Sequence, residues 1–324
     1  MKNNATKRGL PYGVSRYYRS LTRWTDPAVD PIAAQFEPRE EEESRLHYES
    51  DDPIGDTQYA VTGRLIHHYR DRVLLLVSDR CATYCRHCFR RHFTGNSTGR
   101  ITHTELEAAI SYIREHGEVQ EVLLSGGDPL MLGDRELGEI LSRLRALRED
   151  LVFRVCSRVP VVLPGRITEP LAELLGSYAP LWFVTHANHP GEITEQFRRA
   201  IERLRRHGTV TMNQSVLLRG VNDDPDTLER LFRQLLRAGV KPYYLFQGDL
   251  AAGTAHFRVP IERGIEIMQT LRSRLSGMAL PTYAVDLPEG GGKVPVESHL
   301  LRIEKDWYVF RGPQGSEYRY PREV

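Results

Sequence analysis

The chain has 324 residues, 40% of them hydrophobic, and its formal net charge at pH 7 is +1. This length suits one large α/β domain with extensions, and the near-neutral charge lacks the basic excess typical of nucleic-acid-binding proteins. No apolar run is long enough to span a membrane, and the N-terminus lacks the apolar core of a secretory signal. We therefore expect a cytoplasmic protein that binds neither nucleic acid nor membrane.

Residues 1–63 predict an N-terminal accessory region with helical content. Asp-Pro pairs that begin at Asp26, Asp30 and Asp52 indicate turns between short segments. Aromatic and aliphatic residues that suit one short helix are Tyr17, Tyr18, Leu21 and Trp24. The pattern assigns this region no function of its own.

Apolar runs alternate with amphipathic stripes over residues 64–285, which predicts a core domain. The seven runs that predict strands are Val73–Val77, Glu121–Leu124, Val152–Cys156, Leu181–Thr185, Val210–Gln214, Tyr243–Phe246 and Tyr283–Val285. Stripes with a helical period separate them, and the first follows a capping box formed by Thr102 and Glu105. This alternation is typical of a parallel sheet covered by helices. Six or so repeats are too few for an eightfold barrel, so we expect an α/β fold, a partial (β/α)6 barrel of the TIM type.

The first strand leads into a loop with three cysteines, Cys81, Cys85 and Cys88. Structural zinc sites need four protein ligands, and the fourth would be His87 or His92 in the same crowded loop. An iron–sulfur cluster of the 4Fe-4S type, in contrast, needs only these three thiolates if one iron stays open to a small molecule. The spacing favours the cluster, and zinc is the alternative.

The remaining cysteine, Cys156, lies in an apolar strand pattern, where a small buried core residue is the simplest interpretation. Four cysteines in this arrangement do not form a disulfide framework. A reducing compartment is therefore expected, as an oxygen-sensitive cluster would also require.

Polar residues follow three further strands, where the active sites of such barrels lie. Gly126, Gly127 and Asp128 follow the second strand, and two adjacent glycines allow the backbone to approach a ligand closely. His186 follows the fourth strand and Gln214 belongs to the fifth. A plain turn and satisfied core residues are the structural alternatives.

A glycine-rich segment, 286–295 (DLPEGGGKVP), carries Lys293 near the C-terminus. It is not a phosphate-binding P-loop, because Leu287 replaces the first glycine and Val294 replaces the Ser or Thr. Two interpretations remain: a flexible turn with an incidental lysine, or a lysine on a glycine arm that binds pyridoxal 5′-phosphate (PLP) covalently.

Taken together, these motifs resemble the lysine 2,3-aminomutases, radical S-adenosylmethionine (AdoMet) enzymes that also use PLP. The resemblance runs from about residue 62 to the C-terminus. Its ordered segments are 69–76 (YRDRVLLL), the cysteine loop, 124–128 (LSGGD), 160–164 (PVVLP), 213–220 (NQSVLLRG) and the glycine-rich loop. The implied fold is the open six-repeat barrel of radical AdoMet enzymes, followed by a segment at 286–324 that carries the PLP lysine.

The resemblance also implies cofactor roles for individual residues. Cys81, Cys85 and Cys88 correspond to the ligands of the 4Fe-4S cluster. AdoMet would contact the remaining strand-end residues, which are Gly126, Gly127, Asp128, His186 and Gln214. Lys293 corresponds to the catalytic PLP lysine, and Tyr69 and Arg72 are possible further PLP contacts.

Three residues correspond to substrate contacts of the family. Arg90 corresponds to the arginine that pairs with the substrate carboxylate, a planar group that suits a guanidinium fork. Asp249 and Asp286 correspond to two aspartates that bind the side-chain ammonium of lysine. The glutamate-acting relative needs a cation or a neutral amide at these two positions, so the acidic pair favours lysine.

The resemblance therefore implies interconversion of L-lysine and L-β-lysine, an external electron donor such as flavodoxin or ferredoxin, and a homo-oligomer. One departure concerns zinc: the long members of the family bind it through a cysteine-rich tail and a cysteine that Asp224 replaces here. We expect no zinc. The open alternatives are supply of β-lysine to elongation factor P, another amino-acid substrate, and a non-catalytic barrel stabilised by zinc.

Overall fold

The structure is a computed structural model that describes residues 10–24, 26–95, 99–296, 300–305, 307–312 and 316–321. Its main element is a nine-stranded sheet whose spatial order follows the chain order. The strands are β1 (Leu65–Tyr69), β2 (Arg72–Ser78), β3 (Glu121–Gly126), β4 (Val152–Cys156), β5 (Leu181–Thr185), β6 (Val210–Val216), β7 (Lys241–Phe246), β8 (Thr282–Leu287) and β9 (Gly292–Pro295). Strands β2 to β8 are parallel, and β1 and β9 are antiparallel edges.

Helices connect successive parallel strands. The described helices are α1 (Arg16–Arg19), α2 (His103–Glu115), α3 (Asp134–Arg145), α4 (Val159–Val162), α5 (Glu169–Gly176), α6 (Glu195–Arg206), α7 (Pro225–Arg237) and α8 (Ile261–Arg274). Six strand–helix repeats, from β2–α2 to β7–α8, precede the last parallel strand. The prediction of a partial (β/α)6 barrel is confirmed, and each of the seven predicted strands is present.

Buried apolar stripes attach the helices to the sheet. In α6 the residues that are fully buried include Phe197, Ile201 and Leu204, and Thr194 caps the first turn. The helix has arginines on its other faces, so only one side can pack on the strands. Each helix is thereby fixed over the sheet, and the carboxyl ends of the parallel strands meet at one rim.

Side chains, not ladder hydrogen bonds, join the two edges of the curled sheet. The Lys293 N–H on β9 donates to the Tyr69 hydroxyl on β1 at 3.0 Å. The His68 Nε2 atom, also on β1, lies 2.9 Å from the Gly290 carbonyl oxygen just before β9. Within the described strands β1 and β9 share no ladder, so the barrel stays open along this line.

The N-terminal segment packs into the same core as the barrel. Tyr18, Ile32 and Phe36 are buried in one hydrophobic cluster with residues of the sheet and helices, whereas Trp24 is 55% exposed. Regular helix among the described residues before β1 comprises α1 and short 3-10 turns. The boundary at residue 63 stays a prediction, and the contacts show an extension that completes the core.

A small antiparallel sheet follows β9, with strands β10 (Leu300–Ile303), β11 (Trp307–Arg311) and β12 (Glu317–Pro321). It lies in the predicted C-terminal segment, and the sequence patterns did not indicate it. Across the described part of the chain, the helices are too short or too polar to cross a membrane.

Candidate active site

A cavity of about 510 Å³ opens at the carboxyl ends of the parallel strands. It brings together all fourteen residues that the sequence singled out. They are Tyr69, Arg72, Cys81, Cys85, Cys88, Arg90, Gly126, Gly127, Asp128, His186, Gln214, Asp249, Asp286 and Lys293. Residues separated by more than 200 positions in the chain therefore face one space, although their individual roles remain proposals.

The three loop cysteines are free thiols on one side of this cavity. Backbone hydrogen bonds from the loop to the N-terminal segment hold it in place: Tyr84 N–H to Gly13 O at 2.9 Å and Arg86 N–H to Gln35 O at 2.9 Å. Among the described residues, no three His, Cys, Asp or Glu side chains converge as they would on a single metal ion.

A buried arginine lies directly behind the cysteine loop. Arg158 Nη1 is 2.5 Å from Cys85 Sγ, and its Nη2 lies 2.8 Å from a carboxylate oxygen of Glu192. Tyr18 completes the group by donating its hydroxyl to the same carboxylate at 2.5 Å. Cysteines bind iron as thiolates, so three thiols beside a fixed positive charge are a donor set that fits an iron–sulfur cluster.

The Gly126-Gly127 pair is required by packing. Gly126 has φ +122°, and a Cβ atom at this position would lie 2.2 Å from the Ser78 carbonyl oxygen. At Gly127 a Cβ atom would lie 2.6 Å from the Arg80 carbonyl oxygen. The end of β3 therefore touches the chain that enters the cysteine loop, and only glycine permits this approach.

Asp128 is held by protein groups within the rim. Its carboxylate accepts hydrogen bonds from the Ser157 hydroxyl at 2.8 Å and from the Arg158 N–H at 2.9 Å. Burial raises the pKa of Asp128 to about 6, although these hydrogen bonds oppose the rise. The side chain thus ties the end of β3 to the end of β4, in addition to lining the cavity.

His186 and Gln214 line the cavity at the ends of β5 and β6. Burial, together with the positive charges of Arg158 and Arg90, lowers the pKa of His186 to about 4. The imidazole is therefore neutral at physiological pH, so it can donate one hydrogen bond and accept another.

Lys293 projects into the cavity opposite Asp286, its cross-strand neighbour in the β8–β9 pair. Its Nζ atom lies 3.8 Å from Asp286 Oδ1 and 4.4 Å from the centre of the Phe246 ring. Burial lowers the pKa of Lys293, whereas Asp286 and Asp249 act against that change. A lowered pKa increases the fraction of neutral amine, the form that reacts with an aldehyde.

Two carboxylates share the region around Lys293. Burial and the neighbouring charge of Asp286 raise the pKa of Asp249 to about 7. Burial also raises the pKa of Asp286, while Lys293 lowers it. An additional cation placed between these acids would relieve their mutual repulsion.

Arg90 and Arg72 supply positive charge to the cavity. Arg90 Nε donates to Asp56 Oδ2 at 2.7 Å, and both side chains are buried. Arg72 stacks over the Tyr69 ring at 3.9 Å, close to the edge strand that meets Lys293. The cavity therefore contains guanidinium groups as well as the acidic pair, and the charge of Arg90 acts to lower the pKa values of Asp249 and Asp286.

Asp56, Arg158 and Cys156 are among the cavity residues to which the sequence assigned no role in the site. Asp56 lies in a region that carried no functional pattern beyond the turn signal at Asp52. Arg158 follows the end of β4, and this place at a strand end could have indicated that it belongs to the site. Cys156 lines the cavity instead of lying wholly in the core, so its expected role as a core residue is corrected.

Comparisons with known proteins agree with this arrangement. Residues 75–235 match the radical SAM superfamily model, and residues 268–323 match the lysine-2,3-aminomutase model. The L-lysine 2,3-aminomutase of Clostridium subterminale is 43% identical over 98% of this chain and 76% of that protein. The L-lysine 2,3-aminomutase of Acetoanaerobium sticklandii is 44% identical over 94% of this chain and 74% of that protein. The glutamate 2,3-aminomutase of Clostridioides difficile is 38% identical over 94% of this chain and 72% of that protein.

These similarities extend over nearly the whole chain and include both the cysteine loop and the segment that carries Lys293. A radical SAM domain followed by this C-terminal segment also agrees with the half-barrel described above. The chain belongs to the lysine 2,3-aminomutase family of radical SAM isomerases.

Proposed function

We propose that this protein interconverts L-lysine and L-β-lysine by moving the amino group between C2 and C3. The observation that carries the proposal is the pair Asp249 and Asp286 beside Lys293, in one cavity with Arg90. A lysine molecule has a carboxylate at one end and an ammonium group at the other. The site contains charged groups complementary to both ends.

The cofactors that fit this chain are a 4Fe-4S cluster, AdoMet and PLP. Cys81, Cys85 and Cys88 would hold the cluster, and Lys293 would bind PLP covalently. When bound, the cluster and AdoMet supply a hydrogen-abstracting radical, and PLP supplies the carbonyl carbon that carries the migrating nitrogen. Because the cluster must be reduced, we also propose an external electron donor such as flavodoxin or ferredoxin.

The protein's own groups prepare this chemistry. Burial lowers the pKa of Lys293 and so favours the neutral amine, the form that reacts with the PLP aldehyde. The aromatic rings of Tyr244 and Phe246 lie 5.0 and 4.4 Å from its Nζ atom and restrict water there. Exclusion of water protects a reactive intermediate from side reactions.

The acidic pair supports lysine over glutamate as the substrate. A glutamate side chain would place a third carboxylate beside Asp249 and Asp286, where like charges repel. The family contains a glutamate 2,3-aminomutase, so the substrate depends on such local charges and not on the fold. Family membership also favours an enzyme over a non-catalytic barrel stabilised by zinc.

The test is an anaerobic assay after reconstitution with iron, sulfide and PLP. With AdoMet and a reductant we expect β-lysine from lysine and no product from glutamate. Asp249→Ala and Asp286→Ala should each raise the KM for lysine by about 10- to 100-fold, because each removes a charge-assisted contact. Unchanged KM values in both variants would contradict the assignment of the ammonium site.

A further inference from the structure

A turn of the N-terminal segment, residues 52–59, reaches two parts of the cavity at once. The Asp52 carboxylate accepts hydrogen bonds from the backbone N–H groups of Asp56 at 2.9 Å and Thr57 at 2.8 Å. Gly55 adopts a left-handed conformation with φ +71°, which reverses the chain between them. The shape of this 52–59 turn is therefore determined locally.

One side of the 52–59 turn holds Arg90. The Asp56 carboxylate accepts the Nε–H of Arg90 at 2.7 Å, and the two side chains are only 10% and 9% exposed. This bond occupies Nε, so the two terminal nitrogens remain the part of the fork suited to a second carboxylate. Charge-assisted bonds between buried groups restrict rotation of the guanidinium strongly.

The other side of the 52–59 turn holds the glycine-rich loop. Gln58 Nε2 donates to the Glu289 carbonyl oxygen at 2.6 Å, and the Tyr59 hydroxyl donates to the Gly290 carbonyl oxygen at 3.2 Å. Gly290, with φ +72°, precedes β9, on which Lys293 lies. The same short turn thus touches both the arginine and the arm that carries the lysine.

We propose that the 52–59 turn determines specificity for an α-amino acid with a free carboxylate. Asp56 is a positioning residue that directs the Arg90 fork to that carboxylate, while Gln58 and Tyr59 fix the loop of Lys293. The turn thereby sets the separation between the carboxylate site and the PLP site. This inference rests on the proposed function, in which Arg90 binds the substrate carboxylate and Lys293 binds PLP.

The experiment measures binding without turnover. PLP-loaded protein is titrated with L-lysine and with L-lysinamide in the absence of AdoMet, and the visible absorbance of PLP reports binding. The wild-type protein should prefer lysine. In Asp56→Asn the preference should fall about tenfold, because lysine affinity drops while lysinamide affinity stays nearly constant. Because the lysine/lysinamide affinity ratio is compared between variants at one pH, the different basicities of the two ligands cancel.

Three further variants make the outcome specific. Asp51→Asn is the matched control, because Asp51 is exposed, pairs with Arg45 at 3.3 Å and should leave both affinities unchanged. Asp56→Glu keeps the charge and should retain part of the preference, which covers the case in which Asp56→Asn does not fold. Tyr59→Phe should speed the loss of PLP on dialysis without changing the preference for lysine.

Arg90→Gln separates this inference from the proposed function. If Arg90→Gln leaves the preference for lysine intact, the carboxylate role of Arg90 in the proposed function fails. If Arg90→Gln removes the preference but Asp56→Asn and Asp56→Glu do not alter it, only the positioning role of Asp56 is overturned. Equal losses of affinity for both ligands in Asp56→Asn would also overturn the positioning role, since they would indicate general damage to the fold.

Discussion

Asp249 makes the affinity for a cationic substrate depend on pH. Its pKa is raised to about 7, so much of the ligand-free protein carries a neutral carboxyl group below that pH. A substrate ammonium requires the ionised form, and binding must therefore release the proton. Lowering the pH below 7 therefore weakens the binding of the substrate ammonium, whereas raising the pH above 8 changes it little.

We expect the KM for lysine to rise about threefold between pH 7.5 and pH 6.5, to approach a rise of about tenfold per pH unit further below the pKa, and to level off above pH 8. Steady-state kinetics across pH 6 to 9 provide the measurement. Asp249→Asn is the control, since it should weaken binding at every pH and remove this inflection. An inflection that persists in Asp249→Asn would assign it to another group.

The sequence identified these charged residues only through their place beside strand ends and their family resemblance. It could not give the pKa shift of Asp249, because that shift comes from burial and from Asp286, which is 37 positions away in the chain (286 − 249). Arg90 is a similar case: its partner Asp56 belongs to a segment without any functional pattern.

At the scale of elements, the glycine-rich loop depends on one backbone conformation. A Cβ atom on Gly290 would lie 2.2 Å from Gln58 Nε2 and 2.4 Å from Tyr59 Cε2, and its φ of +72° disfavours other residues. Substitution would push the loop away from the 52–59 turn and move β9 with it.

Gly290→Ala should therefore weaken PLP binding about tenfold or more while the fold persists. Equilibrium dialysis of PLP, with circular dichroism as the check on folding, measures this effect. Gly165→Ala is the control, because nothing lies within 4 Å of a Cβ atom there. The same PLP affinity in both variants would show that the loop tolerates the displacement.

The parallel strands and their helices were predictable because their signals are local. Most of the strands β2 to β8 contain an apolar run between turn residues, although β6 (VTMNQSV) is largely polar, and each long helix shows a buried stripe such as Phe197, Ile201 and Leu204. The edge strands β1 and β9 lack such runs. Each pairs with the neighbouring strand along the chain, β1 with β2 and β9 with β8, but its sequence (LIHHY or GKVP) is too short and too polar to stand out as an apolar run.

For the whole molecule, the N-terminal segment supports the cysteine loop through a buried polar group as well as through backbone hydrogen bonds. The Tyr18 hydroxyl donates a hydrogen bond to the Glu192 carboxylate, which also accepts one from Arg158. Arg158 in turn contacts Cys85. Tyr18 and Glu192 are 174 positions apart, so the sequence pattern showed only an aromatic residue in a short helix.

Tyr18→Phe should lower the free energy of unfolding by about 1–3 kcal/mol, because the buried Glu192 carboxylate loses a donor. Thermal denaturation of the cluster-free protein measures the change. Tyr12→Phe is the matched control: the Tyr12 hydroxyl bonds to Glu37 at 3.1 Å on the surface and should contribute less than about 0.5 kcal/mol. Equal losses in the two variants would contradict a special role for the buried group.

The side-chain junction between β1 and β9 affects how easily the wall of the barrel can separate at this point. Elsewhere around the half-barrel, separating two strands breaks a row of backbone hydrogen bonds. Along this junction it breaks only individual contacts, such as Tyr69 to Lys293 and His68 to Gly290. The line along which the wall can separate with the smallest loss of backbone hydrogen bonds therefore lies next to Lys293.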